Sequence, residues 1–82
     1  MTIHVLLFGP MAQAAGANQI AVPIDTNAIS CADLRQRILQ TTPALDRLLP
    51  ACRFAVNQQF VDDAHLATPA DEVALIGMVS GG

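Results

Sequence analysis

The chain contains no lysine, no tryptophan and no tyrosine; its four cations are all arginines, Arg35, Arg37, Arg47 and Arg53. Seven acidic residues outweigh them, leaving a formal charge of −3 and no basic cluster. Tracking a nucleic-acid backbone needs a positive footprint, and Trp and Tyr are missing as stacking platforms, so nucleic acid is set aside as a partner. Long apolar runs are also missing. None approaches the ~18 residues of a membrane span, and the N-terminus lacks the basic start of a signal peptide. The expectation is a cytoplasmic domain with no membrane attachment. Cysteine is equally scarce, with Cys31 and Cys52 alone. Secreted domains stapled by disulfides normally carry more, and this spacing fits neither a zinc site nor a redox pair. Both thiols are expected in the core. His4 and His65 lack a third ligand at recognisable spacing, so no metal is expected.

What remains is 82 residues, of which 52% are hydrophobic and 13% charged. That composition is too apolar for disorder, and the length suits one domain over residues 1–82 with a modest core. Residues 2–8 form a β-branched, apolar run that stops at Gly9-Pro10. Ile3, Val5 and Leu7 share one face of that strand, and His4, Leu6 and Phe8 the other. Pro10 suits the first turn of a short helix through Ala15, stopped by Gly16. Residues 19–24 are a second strand, placed at an edge because Pro23 cannot donate to a ladder. Ser30 caps the main helix, in which Cys31, Leu34 and Ile38 form one apolar stripe, and Thr41-Thr42-Pro43 ends it. Residues 44–50 are a helical turn. Residues 52–56 alternate as a strand, Asn57-Gln58 turns, and Gln59-Phe60-Val61 returns. A polar loop follows, and residues 72–79 make a nearly continuous apolar strand for the sheet centre, parallel to the first.

One helix stripe needs one sheet face to cover it, which gives two layers. The expected class is α+β: a β-grasp, ubiquitin-like fold with a mixed sheet of about five strands on one main helix. No nucleophile–base pair, carboxylate dyad or glycine-rich phosphate loop is present. Asp62-Asp63 is a solvated turn in this reading, because adjacent side chains in a turn diverge. The distinctive feature is Val79-Ser80-Gly81-Gly82, directly after the last strand. At ordinary glycine usage a chance Gly-Gly ending occurs in about one chain in 200. Without a Cβ, such a tail can enter a narrow channel and adopt backbone angles closed to other residues.

The chain resembles the ubiquitin-like sulfur carriers, and in particular the small-subunit family of molybdopterin synthase. The resemblance rests on Val5-Leu6-Leu7-Phe8-Gly9, Leu34-Arg35, Phe54-Ala55-Val56-Asn57-Gln58, Asp71-Glu72-Val73-Ala74-Leu75-Ile76 and the terminal Val79-Ser80-Gly81-Gly82. It implies that Gly82 reacts. A ubiquitin-activating-type adenylyltransferase would use ATP and magnesium to activate the carboxylate, and a sulfur donor protein would make it a thiocarboxylate. The chain itself would bind no cofactor and would not be an enzyme alone. Ser80, Gly81 and Gly82 would then enter a channel in the large subunit of the synthase, where sulfur passes to cyclic pyranopterin monophosphate. The resemblance also implies a partner-binding face carrying Phe8, Phe60 and Ile76, and a heterotetramer of two small subunits on a large-subunit dimer. One departure stands out: Gly77-Met78 replace the family's usual two prolines, which would loosen the approach to the tail. Other readings are a carrier for thiazole or cysteine synthesis, a protein modifier, and a docking domain. Thiazole carriers usually lack the segment around residues 41–50.

Overall fold

Alternation of apolar and polar residues produces β1 (Thr2–Leu7), with Ile3, Val5 and Leu7 buried and His4 exposed. The structure is a computed structural model that describes residues 1–77. The short helix α1 (Pro10–Ala15) begins at its proline and stops at Gly16, whose φ of 71° is left-handed. Next comes β2 (Gln19–Pro23), antiparallel to β1 from Thr2↔Pro23 to Leu6↔Gln19. It lies at the sheet edge, where a missing N–H at Pro23 does no harm.

A two-residue strand, β3 (Ile29–Ser30), leads into the main helix α2 (Cys31–Thr41). The Ser30 hydroxyl accepts from the Asp33 backbone N–H at 3.1 Å, satisfying one of the orphan donors of the first turn. Cys31, Leu34 and Ile38 face the sheet fully buried. Pro43 follows the helix end and opens two 3-10 turns, Pro43–Leu45 and Leu49–Ala51, which bury Leu45 and Leu49. The chain re-enters the sheet as β4 (Cys52–Val56), turns at Asn57-Gln58, and returns as β5 (Gln59–Phe60). After β6 (Leu66–Ala67), it makes β7 (Val73–Gly77).

The main sheet has the order β2-β1-β7-β4-β5, with β7 parallel to β1 and antiparallel to β4. A mixed five-stranded sheet packed on one main helix is the expected β-grasp. The core is the inner face of that sheet, Ile3, Val5, Leu7, Val22, Phe54, Val73 and Leu75, closed by α2 and by Met11 of α1. Two short elements, β3 and β6, depart from the sequence reading. The segment between β5 and β7, expected as a polar loop, contains β6, which pairs with β3 as Ile29↔Ala67 and Ser30↔Leu66. Two-residue strands are too short to show a period; the buried Ala67 and the partly buried Ile29 anchor this ribbon to the core.

Two polar joints hold the loops. Arg35 of α2 donates to the carbonyls of Leu49 at 2.7 Å and Cys52 at 3.2 Å, and pairs with Asp63 at 3.2 Å. Its guanidinium also lies 5.3 Å from the centroid of the Phe54 ring. One side chain thereby ties the helix to the 3-10 segment, the sheet and the loop after β5. Asp62-Asp63 is indeed a turn: Asp62 accepts from the Ala64 N–H, and the Asp63 carbonyl accepts from the Ala32 N–H.

The second joint unites two of the sequence pieces that carried the resemblance. Asn57 and Gln58 both have positive φ, 53° and 70°, the combination of a type I′ hairpin turn. From that turn the Asn57 amide donates to Asp71 at 3.1 Å and its oxygen accepts from the Glu72 N–H at 2.9 Å. Asp71 also accepts from the Thr68 N–H and hydroxyl. The Thr68 N–H foremost, then the Asn57 amide, hold the Asp71 carboxyl below its ordinary range. A lowered folded-state value means that this carboxylate stabilises the fold above its unfolded pKa, and loses that effect as pH falls through the folded value. Asp71→Ala is therefore expected to cost about 1 kcal/mol at neutral pH. The gap to the native chain should narrow below about pH 4. Urea unfolding of both proteins at pH 7 and pH 3 checks this.

Candidate functional site

The sheet has one face without a helix. Strand parity puts Leu6 of β1, Ala74 and Ile76 of β7, Arg53 and Ala55 of β4, and Phe60 of β5 on it, opposite the core residues. The register aligns four of these in a row across the strands, Leu6↔Ala74, Ala74↔Ala55 and Ala55↔Phe60. Alanines in the middle and larger side chains around them leave a shallow depression of about 280 Å³. Its lining is Leu6, Phe8, Ala55, Gln58, Glu72, Ala74 and Ile76.

Phe8 and Ile76, both expected on a partner-binding face, thus share one hollow. Phe60 stands at its outer side on the edge strand. Phe8 is 54% and Phe60 53% exposed, unusually open for phenylalanines in a chain this small. Adjacent exposed apolar groups rimmed by polar ones are the ordinary mark of an interaction surface. Arg53, which the sequence reading did not single out, lies over the Phe60 ring with its guanidinium carbon 4.9 Å from the centroid. The signal was available: Cys52, Phe54 and Val56 point inward, so Arg53 must point outward beside the return strand.

Parallel pairing with β1 directs the end of β7 to the same end of the sheet as Phe8. Gly77 pairs with Cys52 there, and Ile76 with Arg53. Ser80, Gly81 and Gly82, expected as the reacting tail, lie outside the described residues. Gly77 itself has no positive φ, and a Cβ built on it meets nothing within 4 Å among the described residues. The described residues make no steric demand for glycine at that position.

The other candidate features are already satisfied within the fold. Burial raises the thiol pKa of Cys31 and Cys52, and the Arg35 charge opposes this only in second place at Cys52. Thiols kept protonated in a core are poor nucleophiles. A larger hollow of about 550 Å³ runs beside α2, where Arg37 pairs with Asp25 at 3.1 Å. Among the described residues no three His, Cys, Asp or Glu side chains come together as a metal site. No helix among them is long and apolar enough to cross a membrane.

Comparison with known proteins agrees with this fold. Residues 5–82 match the model of the ThiS family. The molybdopterin synthase sulfur carrier subunit of Chlamydomonas reinhardtii is 37% identical over 84 aligned positions, covering all of both chains. Among solved structures, SAMP1 from Haloferax volcanii superposes with a TM-score of 0.82 over the whole of both chains, at 23% identity. One chain of the complex of subunits 1 and 2 of the molybdopterin-converting factor from Helicobacter pylori matches at 28% identity and a TM-score of 0.66, again over the full length of both chains.

Proposed function

The chain belongs to the ThiS family, and on that premise we propose that it is the sulfur-carrier subunit of a molybdopterin synthase. The observation that carries the choice within the family is the full-length, 37% identical relative of that function. The converting-factor complex of Helicobacter pylori supports a large subunit as the partner.

In this reading the reacting group is the carboxylate of Gly82. A free carboxylate is a poor electrophile. Transfer to AMP by an adenylating enzyme, with ATP and magnesium, makes the carbonyl carbon open to attack, and pyrophosphate leaves. Sulfide-level sulfur from a donor then attacks that carbon, AMP leaves, and the product is a thiocarboxylate. The β-grasp body contributes no acid, base or metal to these steps. It holds the apolar face formed by Phe8, Ile76 and Phe60 against the partner, while Ser80-Gly81-Gly82 reach the partner's catalytic groups. There sulfur passes to cyclic pyranopterin monophosphate and the carrier leaves as the carboxylate. Binding energy from a surface remote from the reaction thereby fixes the position of the reacting carbon.

Intact mass tests the proposal. The chain purified from cells with the adenylating enzyme should carry a species heavier by one sulfur-for-oxygen exchange at Gly82, absent when that enzyme is deleted. Unmodified carboxylate in both strains, while a known carrier is charged in parallel, would sink it. Modifier function predicts instead an isopeptide bond from Gly82 to lysines of other proteins, visible as higher-mass conjugates.

A further inference from the structure

Charge on the open face is sparse and polarised. Among the described residues, Arg53 is the one arginine there, since Arg35 and Arg37 lie on α2 and Arg47 lies between the 3-10 turns. Arg53 is paired across the strands with Ile76, at the end of β7 from which the tail departs. It makes no hydrogen bond or ion pair with any described residue. Stacking over Phe60 restrains its guanidinium, which leaves less side-chain freedom to lose on docking. Glu72 lies on the rim at the opposite end of the same hollow. Four residues of strand separate it from Ile76, about 13 Å. Its neighbour Asp71 is occupied by Thr68 and Asn57, whereas the Glu72 side chain has no partner among the described residues.

We infer that Arg53 and Glu72 set the direction in which this face docks, and that the partner protein presents an apolar protrusion flanked by a carboxylate on the side of the tail channel and by a cation on the far side. This rests on the proposed carrier function. An apolar hollow alone fits a protrusion in either sense along the strands. A positive group at the exit end and a negative group at the other remove that ambiguity, because the reversed encounter would oppose like charges. Only the correct sense feeds the end of β7 to the channel. Such rim charges act mainly on the encounter, so their signature is an association rate that depends on salt.

Surface plasmon resonance against the large subunit of molybdopterin synthase from the same organism, at low and high salt, tests this. Arg53→Met keeps an apolar stem over Phe60 and removes the charge; Glu72→Gln removes the other. Each is expected to slow association at low salt, Arg53→Met roughly tenfold, with a smaller change in dissociation and a flatter salt dependence. Ile76→Asp, which places a charge in the hollow, should abolish binding. Circular dichroism of each variant checks that the fold is retained. If Ile76→Asp abolishes binding while Arg53→Met associates at the native rate with the native salt slope, the polarity is wrong and the docking face stands. An effect at Arg53 without one at Glu72 also overturns the polarity. If Ile76→Asp binds as the native chain does, the docking face falls and the polarity with it; if the native chain itself does not bind, the carrier reading falls.

Discussion

Deletion of Gly82 is expected to abolish thiocarboxylate formation and sulfur transfer while leaving the melting temperature unchanged. Shortening the chain by one residue withdraws the terminal carboxyl by up to about 3.5 Å. Adenylation requires the reacting atoms within about 3–3.5 Å of each other, and a misplacement of even 1 Å can cost about 100-fold. The expected loss is therefore at least a thousandfold, to the floor of a radiometric or mass-based assay. The core contribution of β7 comes from Val73 and Leu75, both fully buried and both upstream of the deletion. Binding to the large subunit should weaken far less than activity, because Phe8, Phe60 and Ile76 remain. A docking domain with an incidental Gly-Gly would behave differently: its function would survive the deletion.

Phe54→Ala is the substitution expected to damage the fold most. Phe54 heads the fully buried side chains by size, at 1% exposure in the middle of β4. It packs beneath α2 and under the Arg35 guanidinium, so truncation opens a cavity and removes the stacking surface for a side chain that joins three segments. Phenylalanine-to-alanine changes in cores cost about 3–5 kcal/mol. A domain of this length has a total stability of only about 4–12 kcal/mol. The expected fall in Tm is about 20 °C, read by calorimetry or circular dichroism. Arg35 should then lose its effect: Arg35→Met added to Phe54→Ala should cost less than Arg35→Met alone, because one of its contacts is already gone.

Much of the architecture was legible because it depends on periodicity and punctuation. Ile3, Val5 and Leu7 alternate, Cys31, Leu34 and Ile38 repeat at helical spacing, Ser30 and Pro43 bracket the helix, and Pro23 marks an edge. Each of these is a local signal that the tertiary structure did not override. Parity likewise placed Phe8 and Ile76 together on the open face. The resemblance, rather than the pattern, pointed to Phe60, whose strand of two residues has no period to read. The β3–β6 ribbon escaped for the same reason. The Asn57–Asp71 contact and the Arg35 joint were illegible on other grounds: they unite residues 14 to 28 positions apart through side-chain hydrogen bonds. Such pairings leave no trace in composition or spacing. What sequence could show was that Asn57 and Asp71 belong to two familiar pieces. The structure adds that the pieces are one joint, which holds the hairpin turn, and with it Gln58 and Glu72, at the rim of the hollow.

The position of β7 has a mechanical meaning. A carrier whose tail is drawn into a channel is pulled at the end of its final strand. Here that strand lies in the middle of the sheet, bonded on one side to β1 and on the other to β4. Tension applied at Gly77 runs along β7, while its neighbours on both sides resist through bonds that lie across the line of force. The strand cannot peel away one bond at a time, as an edge strand would; it has to slide past β1 and β4 with many bonds failing together. Val73 and Leu75 would have to leave the core in the same movement. If a partner grips the molecule by its tail, as proposed, the pull falls on a strand held from both sides.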